Sequence, residues 1–248
     1  PELALVRAMG DLAQGRLDEA AAHLAVAATH AKTAPPERQR RLQVAVASQQ
    51  LSLARRGGHL AGVIEQARFL ASPVTGQSDE DIALDSDLRA VALMNLGTAE
   101  AWTLGLPDAP DAERHLREGA DLAREIGRPY LEVGCLAQLG FASLVLHSFA
   151  TTQRRCREAI ALAERYGWGT EPVIAPALIM LAGTLVWTGE FDEGERWLQR
   201  TRQALETDTG PDITLLLRQT AGLLHAGRGR NHEALEEFGA AEYLGSQL

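Results

Sequence analysis

The sequence predicts an all-α protein built as a right-handed superhelix, an α-solenoid of about six helical hairpins. Three observations carry the prediction. The chain of 248 residues holds 41 Ala and 37 Leu, which favours helix. Val, Ile and Thr never gather into alternating runs bounded by turn residues, so no sheet is indicated. A motif also recurs along the whole chain, which is the signature of a repeat architecture.

The clearest copies of the motif are Gly15-Arg16-Leu17-Asp18-Glu19-Ala20 and Gly189-Glu190-Phe191-Asp192-Glu193-Gly194. Weaker copies surround Leu60, Phe149 and Asn231, and a stretched one runs from Gly105 to Ala112 with Pro107 and Pro110 inside it. Taking positions 17, 60, 109, 149, 191 and 231 as equivalent divides the chain into units of about 40 residues. One continuous domain over residues 1–248 is expected.

Each unit reads as two helices. Glycine closes the first helix in a left-handed cap, an acidic or polar residue caps the second, and proline opens the next unit in its first helical turn. Pro35-Pro36, Gly127 with Pro129, Gly169 with Pro172, and Gly210 with Pro211 fit that punctuation. Small residues recur inside the first helices at Leu96-Gly97, Leu139-Gly140, Ala182-Gly183 and Ala221-Gly222. A mid-helix glycine costs about 1 kcal/mol against alanine, and close approach of the partner helix is the reason to tolerate it. The second helices supply the complementary large residues at Leu24, Leu116, Leu198 and Phe238, followed by Ala27, Gly119 and Ala241.

This arrangement resembles tetratricopeptide repeats, whose pattern sets Leu-Gly in the first helix, a Gly-x-[aromatic or Leu] turn, and Ala plus a large apolar residue in the second. The unit here is longer than the standard one, and the usual first-helix Trp and Tyr positions are mostly aliphatic. Ala/Leu/Arg-rich phrases such as 112–127 and 158–168 further resemble the sensor region of large LuxR-type, MalT-like transcription regulators. That resemblance implies a domain which binds a small inducer or a partner domain in its groove. It also implies an N-terminal ATPase and a DNA-reading C-terminal helix-turn-helix, both outside this chain. The chain opens on Pro1 and stops at Gly245-Ser246-Gln247-Leu248 with no polar capping helix, as an array cut from something longer would.

Charge and motifs exclude several functions. With 24 basic against 33 acidic residues and a net charge of −9, direct contact with nucleic acid by this segment is not expected. Lys32 is the only lysine, so the arginine excess reflects residue usage rather than an anion site. Lys32-Thr33 lacks the glycine-rich run of a phosphate loop, and no HExxH, paired-cysteine or G-x-S-x-G pattern appears, so no enzyme and no cofactor are expected. Cys135 and Cys156 lie 21 residues apart without CxxC or spaced His partners, and read as buried small residues of a cytoplasmic protein. No run reaches about 18 apolar residues, so no membrane span is expected.

His23 and His30 are about 10 Å apart along a helix, too far to share a metal directly, and these two, like His225 and His232, read as exposed or half-buried. Asp79-Glu80-Asp81, preceded by Ser78, reads as the capped and dipole-matched start of a helix. The arginine trios 38, 40, 41 and 154, 155, 157 read as solvated faces open to an acidic partner.

The remaining candidate site is the groove lined by the first helices. Counting from the mid-helix small residue puts Met94, Thr98, Trp102, Phe141, Val145, Ile179 and Trp187 there, with Arg55, Arg56 and Gln219 toward the ends and Ser48 beside them. An apolar centre with polar ends suits a small inducer, a peptide or a partner protein. The competing reading has Trp102 and Trp187 filling space between successive units. A generic tetratricopeptide scaffold with no transcription role is the alternative to the LuxR-type reading, and oligomerisation is compatible with either.

Overall fold

A computed structural model describes residues 2–57, 64, 79–102, 109–146, 148–205 and 211–246, and these are helical or in the turns between helices. The helices are α1 (Glu2–Ala13), α2 (Leu17–Lys32), α3 (Pro36–Arg56), α4 (Asp79–Trp102), α5 (Ala109–Glu125), α6 (Pro129–Leu146), α7 (Phe149–Arg165), α8 (Ala175–Trp187), α9 (Phe191–Ala204), α10 (Pro211–Gly227) and α11 (Asn231–Gly245), with a 3-10 turn at Pro172–Ile174 ahead of α8. No strand occurs among the described residues. The chain divides into two compact units, Pro1–Cys135 and Leu136–Leu248.

The repeat register survives in detail. Five of the six equivalent positions, 17, 109, 149, 191 and 231, are the first residues of second helices; position 60 lies outside the described residues. Proline opens α3, α6, α10 and the 3-10 turn, where its missing N–H would have no intrahelical partner in any case.

Five junctions share one cap. Gly15, Gly127, Gly167, Gly189 and Gly229 all have φ between 68° and 85°. At each, the residue after the glycine donates its N–H to the carbonyl five residues back, as from Arg16 to Asp11 (2.9 Å), Trp168 to Ala163 (2.9 Å) and Glu190 to Leu185 (2.9 Å). The glycine itself donates three residues back, as from Gly189 to Val186 (3.1 Å). Together these bonds satisfy carbonyls that the helix end leaves open.

Two expectations about the punctuation need correction. The cap after α7 is Gly167, not Gly169, because the helix is already closed by Tyr166 and Trp168. The Gly169 carbonyl instead accepts from Arg200 Nε (3.3 Å) and Nη2 (3.1 Å). An acidic or polar side-chain cap is not general either. Ser148 accepts from the Thr151 N–H at 3.3 Å, whereas Arg16, Glu190 and Arg230 precede their helices without a side-chain capping bond. The acidic residues sit one step later, at Asp18-Glu19, Asp192-Glu193 and Glu233, where their charge meets the helix dipole. Gly210 and Ser78 lie outside the described residues, while α4 does start at Asp79.

In the first unit, α1 packs on α2, α2 on α3, α3 on α4 and α4 on α5. Val44, Ala47 and Leu51 of α3 meet Ala92, Leu96 and Ala99 of α4 around Ile64. The mid-helix glycines are seats for a side chain of a neighbouring helix. A methyl group at 97 would stand 2.7 Å from Leu116 Cγ, and one at 119 would stand 3.0 Å from Cys135 Sγ. In the second unit, α8 packs against α7, α9 and α10. All its residues from Ala175 to Val186 are buried except Gly183, which is half-buried. A methyl at 140 would stand 2.6 Å from Cys156 Sγ, and one at 222 would stand 2.6 Å from the Phe238 ring. Gly183 is the looser member, with Thr220 Oγ1 at 3.5 Å. In its hairpin the close approach is made instead by Gly194 of α9, set against Val186.

Candidate functional site

Within the first unit, Met94, Thr98 and Trp102 follow one another at four-residue intervals on α4 and so share a face. Thr98 is buried, and Met94 and Trp102 are half-buried. Ser52 of α3 donates to Asn95 Oδ1 at 3.5 Å beside them, and Ser48 is buried. Arg55 and Arg56 occupy the last turn of α3, and their side chains lie outside the described residues.

Within the second unit, the predicted lining splits. Phe141 and Ile179 are interior side chains, 2% and 0% exposed, so they pack the unit and offer no surface to a ligand. The Val145 side chain lies outside the described residues. Trp187 and Gln219 are exposed, and Trp187 at 64% is the outstanding case. It follows directly on the buried body of α8, so no neighbouring hairpin of this unit covers it.

A polar feature carried by no metal or catalytic motif runs through the same hairpins. In four of the five described second helices, the side chain six residues after the start reaches back to the first helix. His23 Nδ1 lies 2.7 Å from Asp11 Oδ2. His115 Nδ1 lies 2.7 Å from Glu100 Oε2. Arg155 donates to Ser143 Oγ at 2.6 Å, and Glu237 accepts from Arg218 at 2.9 Å. In α9 the position is Trp197, which donates to Glu193 of its own helix at 3.2 Å. Each of these residues immediately precedes the large residue of the hairpin, or Cys156 in α7. The recurring dipeptide His-Leu at 23–24 and 115–116 was the available sequence signal.

The charges of these units are largely spent on one another. Arg16 and then His23 hydrogen-bond Asp11 and hold its carboxyl below the usual range. Arg128 grips both oxygens of Asp87, at 2.7 and 2.8 Å, with the same effect. Trp197 and Arg157 do likewise for Glu193. Arg200 lies 5.3 Å from the Trp197 ring centre and pairs with Glu164 at 2.7 Å, and the nearby Tyr166 and Trp168 rings stack at 4.8 Å. Exposed pairs of this kind contribute little to stability, because solvent and salt screen them. A shallow depression over α7, bordered by Gln153, Arg154, Arg157 and Glu158, has its arginines already answered by Glu158 and Glu193.

Among the described residues, no group of three or more His, Cys, Asp or Glu is placed to hold a metal ion. No helix among them is long and apolar enough to cross a membrane. Cys135 and Cys156 are free and buried, as expected of small packing residues. Burial pushes both thiols up to about 12 from an ordinary 9.0. Both raised values favour the protonated folded state, so the stability they contribute is complete below pH 9 and is lost as the pH climbs toward 12. At pH 8 an aromatic disulfide reagent should leave both cysteines unmodified in the native protein and titrate both in denaturant. Rapid native modification of either one would contradict this burial.

No family model matches the sequence, and no curated protein matches it. Solved structures do match, and one is the crystal structure of a Rap protein complexed with Competence and Sporulation Factor. It superposes with a TM-score of 0.66 over 97% of this chain at 14% identity. This chain spans 63% of the length of that one. A likeness at that identity concerns the fold, and with the hairpin register above it places the chain among the tetratricopeptide-like helical repeats.

Proposed function

We propose that the chain is a helical-repeat interaction scaffold that holds a protein or peptide partner on its first-helix face. The observation that carries this reading is Trp187. A tryptophan left 64% exposed at the end of an otherwise buried helix keeps most of its surface uncovered by its own unit, and tryptophan is among the residues that dominate binding energy at protein interfaces. Gln219, exposed in the same unit, adds a hydrogen-bonding group, and Met94 and Trp102 are the corresponding candidates in the first unit. The solved Rap structure, itself a complex, is consistent with such use of the fold. No catalytic step or cofactor enters this reading, and cysteine usage favours the cytoplasm.

The test is to capture partners on the immobilised chain, identify the most abundant, purify it and titrate it against wild type and Trp187→Ala. Loss of at least about tenfold in affinity is expected, roughly 1.4 kcal/mol. Equal affinity would remove Trp187 from the site. A second reading keeps the groove but makes the ligand a small inducer of a LuxR-type regulator, with ATP and DNA handled by other domains. The phrases at 112–127 and 158–168 favour it. A metabolite panel that shifts tryptophan emission in the wild type but not in Trp187→Ala would support it over the scaffold.

A further inference from the structure

The outer stripe of the second helices, at positions four, eight and twelve after the start, changes character at α11. It is Glu113, Arg117 and Asp121 on α5, and Glu195, Gln199 and Gln203 on α9. Arg117 pairs with Glu113, and Glu195 accepts from Arg228 at 2.6 Å; Arg117, Asp121, Gln199 and Gln203 are exposed and the two glutamates half-buried, so the stripe there is polar and ion-paired. On α2 the stripe is Ala and Thr, and on α7 it is Gln, Arg and Ala. On α11 it reads Leu235, Gly239 and Tyr243, with the two large residues 71% and 69% exposed.

The inward face of α11 is fully accounted for without them. Ala234 and Ala241 are buried, and Phe238 fills the seat at Gly222. At 100° per residue, the row Leu235, Gly239 and Tyr243 is centred roughly 130° around the helix from the face made by Ala234, Phe238 and Ala241, and is about 12 Å long. Glycines 97, 119, 140, 194 and 222 each receive a side chain from a neighbouring helix, whereas Gly239 has no such atom within 4 Å of where a Cβ would stand. Leu235 and Tyr243 thus flank an unfilled seat of the kind this chain uses to bring two helices together.

The surrounding charge selects the occupant. Helix α11 carries Glu233, Glu236, Glu237 and Glu242 and no Lys or Arg. Glu237 is turned to Arg218, but Glu236 and Glu242 are exposed and border the apolar row on either side, with only His232 facing Glu236 at 3.3 Å. Two copies crossing antiparallel on this row would set Glu236 beside Glu242 of the other copy, and the whole chain carries −9. A second copy is therefore repelled. We propose that the outer face of α11 docks a basic amphipathic helix of a partner protein, whose apolar side chain enters the Gly239 seat while its Lys or Arg residues meet Glu236 and Glu242. This surface is distinct from the first-helix face and does not depend on the groove reading.

Two synthetic helices test it on the full chain at low salt. Each is roughly 18 residues, long enough to be helical in isolation, with the same Leu/Ala stripe, and they differ only in having Lys or Glu beside that stripe. The Lys peptide is expected to bind at least about tenfold more tightly than its Glu twin, with affinity falling as salt rises. Leu235→Asp and the pair Glu236→Gln with Glu242→Gln should each weaken the Lys peptide at least about fivefold. Gly239→Leu, which fills the seat while favouring the helix, should do the same at unchanged circular dichroism. Equal binding of both peptides, failure of both to bind, or indifference to Gly239→Leu overturns the proposal. So does sedimentation showing a wild-type dimer that Leu235→Asp dissolves, since the occupant would then be a second copy.

Discussion

Replacing His115 with alanine should lower the stability of the Pro1–Cys135 unit by about 1–3 kcal/mol, the loss expected when a buried polar group is deprived of a hydrogen-bond partner. His115 is 4% exposed and Glu100 is 1% exposed, and their contact of 2.7 Å joins the two helices of one hairpin directly beside the Leu116 seat. Truncation leaves the carboxyl of Glu100 without that partner, in a place where water does not reach. The pair need not be a net gain over an apolar one. Changing both residues to leucine should recover most of the loss, because an apolar pair of similar volume requires no compensation for desolvation. Urea unfolding of the single and double variants measures the coupling, and hydrogen exchange localises it to the first unit. A single substitution costing less than about 1 kcal/mol would mean that Glu100 is adequately served by its other surroundings.

The hairpin register was legible because it is written in residues whose backbone or size leaves little choice. Glycine at φ near +70° and proline at a first helical turn are punctuation by necessity; glycine placed the starts of α2, α9 and α11 correctly, and proline those of α3, α6 and α10. Where two glycines lay close together, at 167 and 169, the sequence did not say which one adopts the left-handed cap. The seats at Gly97 and Gly222 were legible for a related reason. An expensive residue in mid-helix demands a close neighbour, and the large residues of the second helices were the available ones.

Placing the candidate site was harder, because apolar spacing tells that a helix face is covered and not what covers it. Helix α8 packs on three helices of its own unit, so Ile179, which falls in the groove register, is interior, and so is Phe141 of α6. Trp187 belongs to the same counting scheme yet is exposed, because it stands at the end of α8 where the hairpin turns. The Glu100–His115 pair was invisible to a search for metal or catalytic spacings, since its members are brought together by the hairpin and not by sequence proximity. The change of character on α11 lay in the repeat alignment itself, but only the exposure of Leu235 and Tyr243 separates an outer stripe from one more packing face.

Leu116→Ala should cost about 2–5 kcal/mol, as expected for a fully buried leucine whose removal leaves a void. Gly97→Ala should also destabilise. Its methyl would stand 2.7 Å from Leu116 Cγ and 3.1 Å from the Ala112 carbonyl oxygen, and overpacking of that order costs about 1–3 kcal/mol against a propensity gain of about 1 kcal/mol. The two substitutions concern the same few cubic ångströms, so their effects should not add. With alanine at 116 the new methyl at 97 enters vacated space, the helix gains its propensity, and the double variant should be at least as stable as Leu116→Ala alone. The remaining approach to the Ala112 carbonyl limits the recovery, because that atom is backbone and cannot swing aside. Thermal or urea unfolding of the three variants gives the coupling. If the separate losses simply sum, then Leu116 is not what the glycine makes room for, and the seat-and-knob account of this hairpin fails. The same logic would then be in doubt for Gly222 with Phe238 and for the open seat at Gly239.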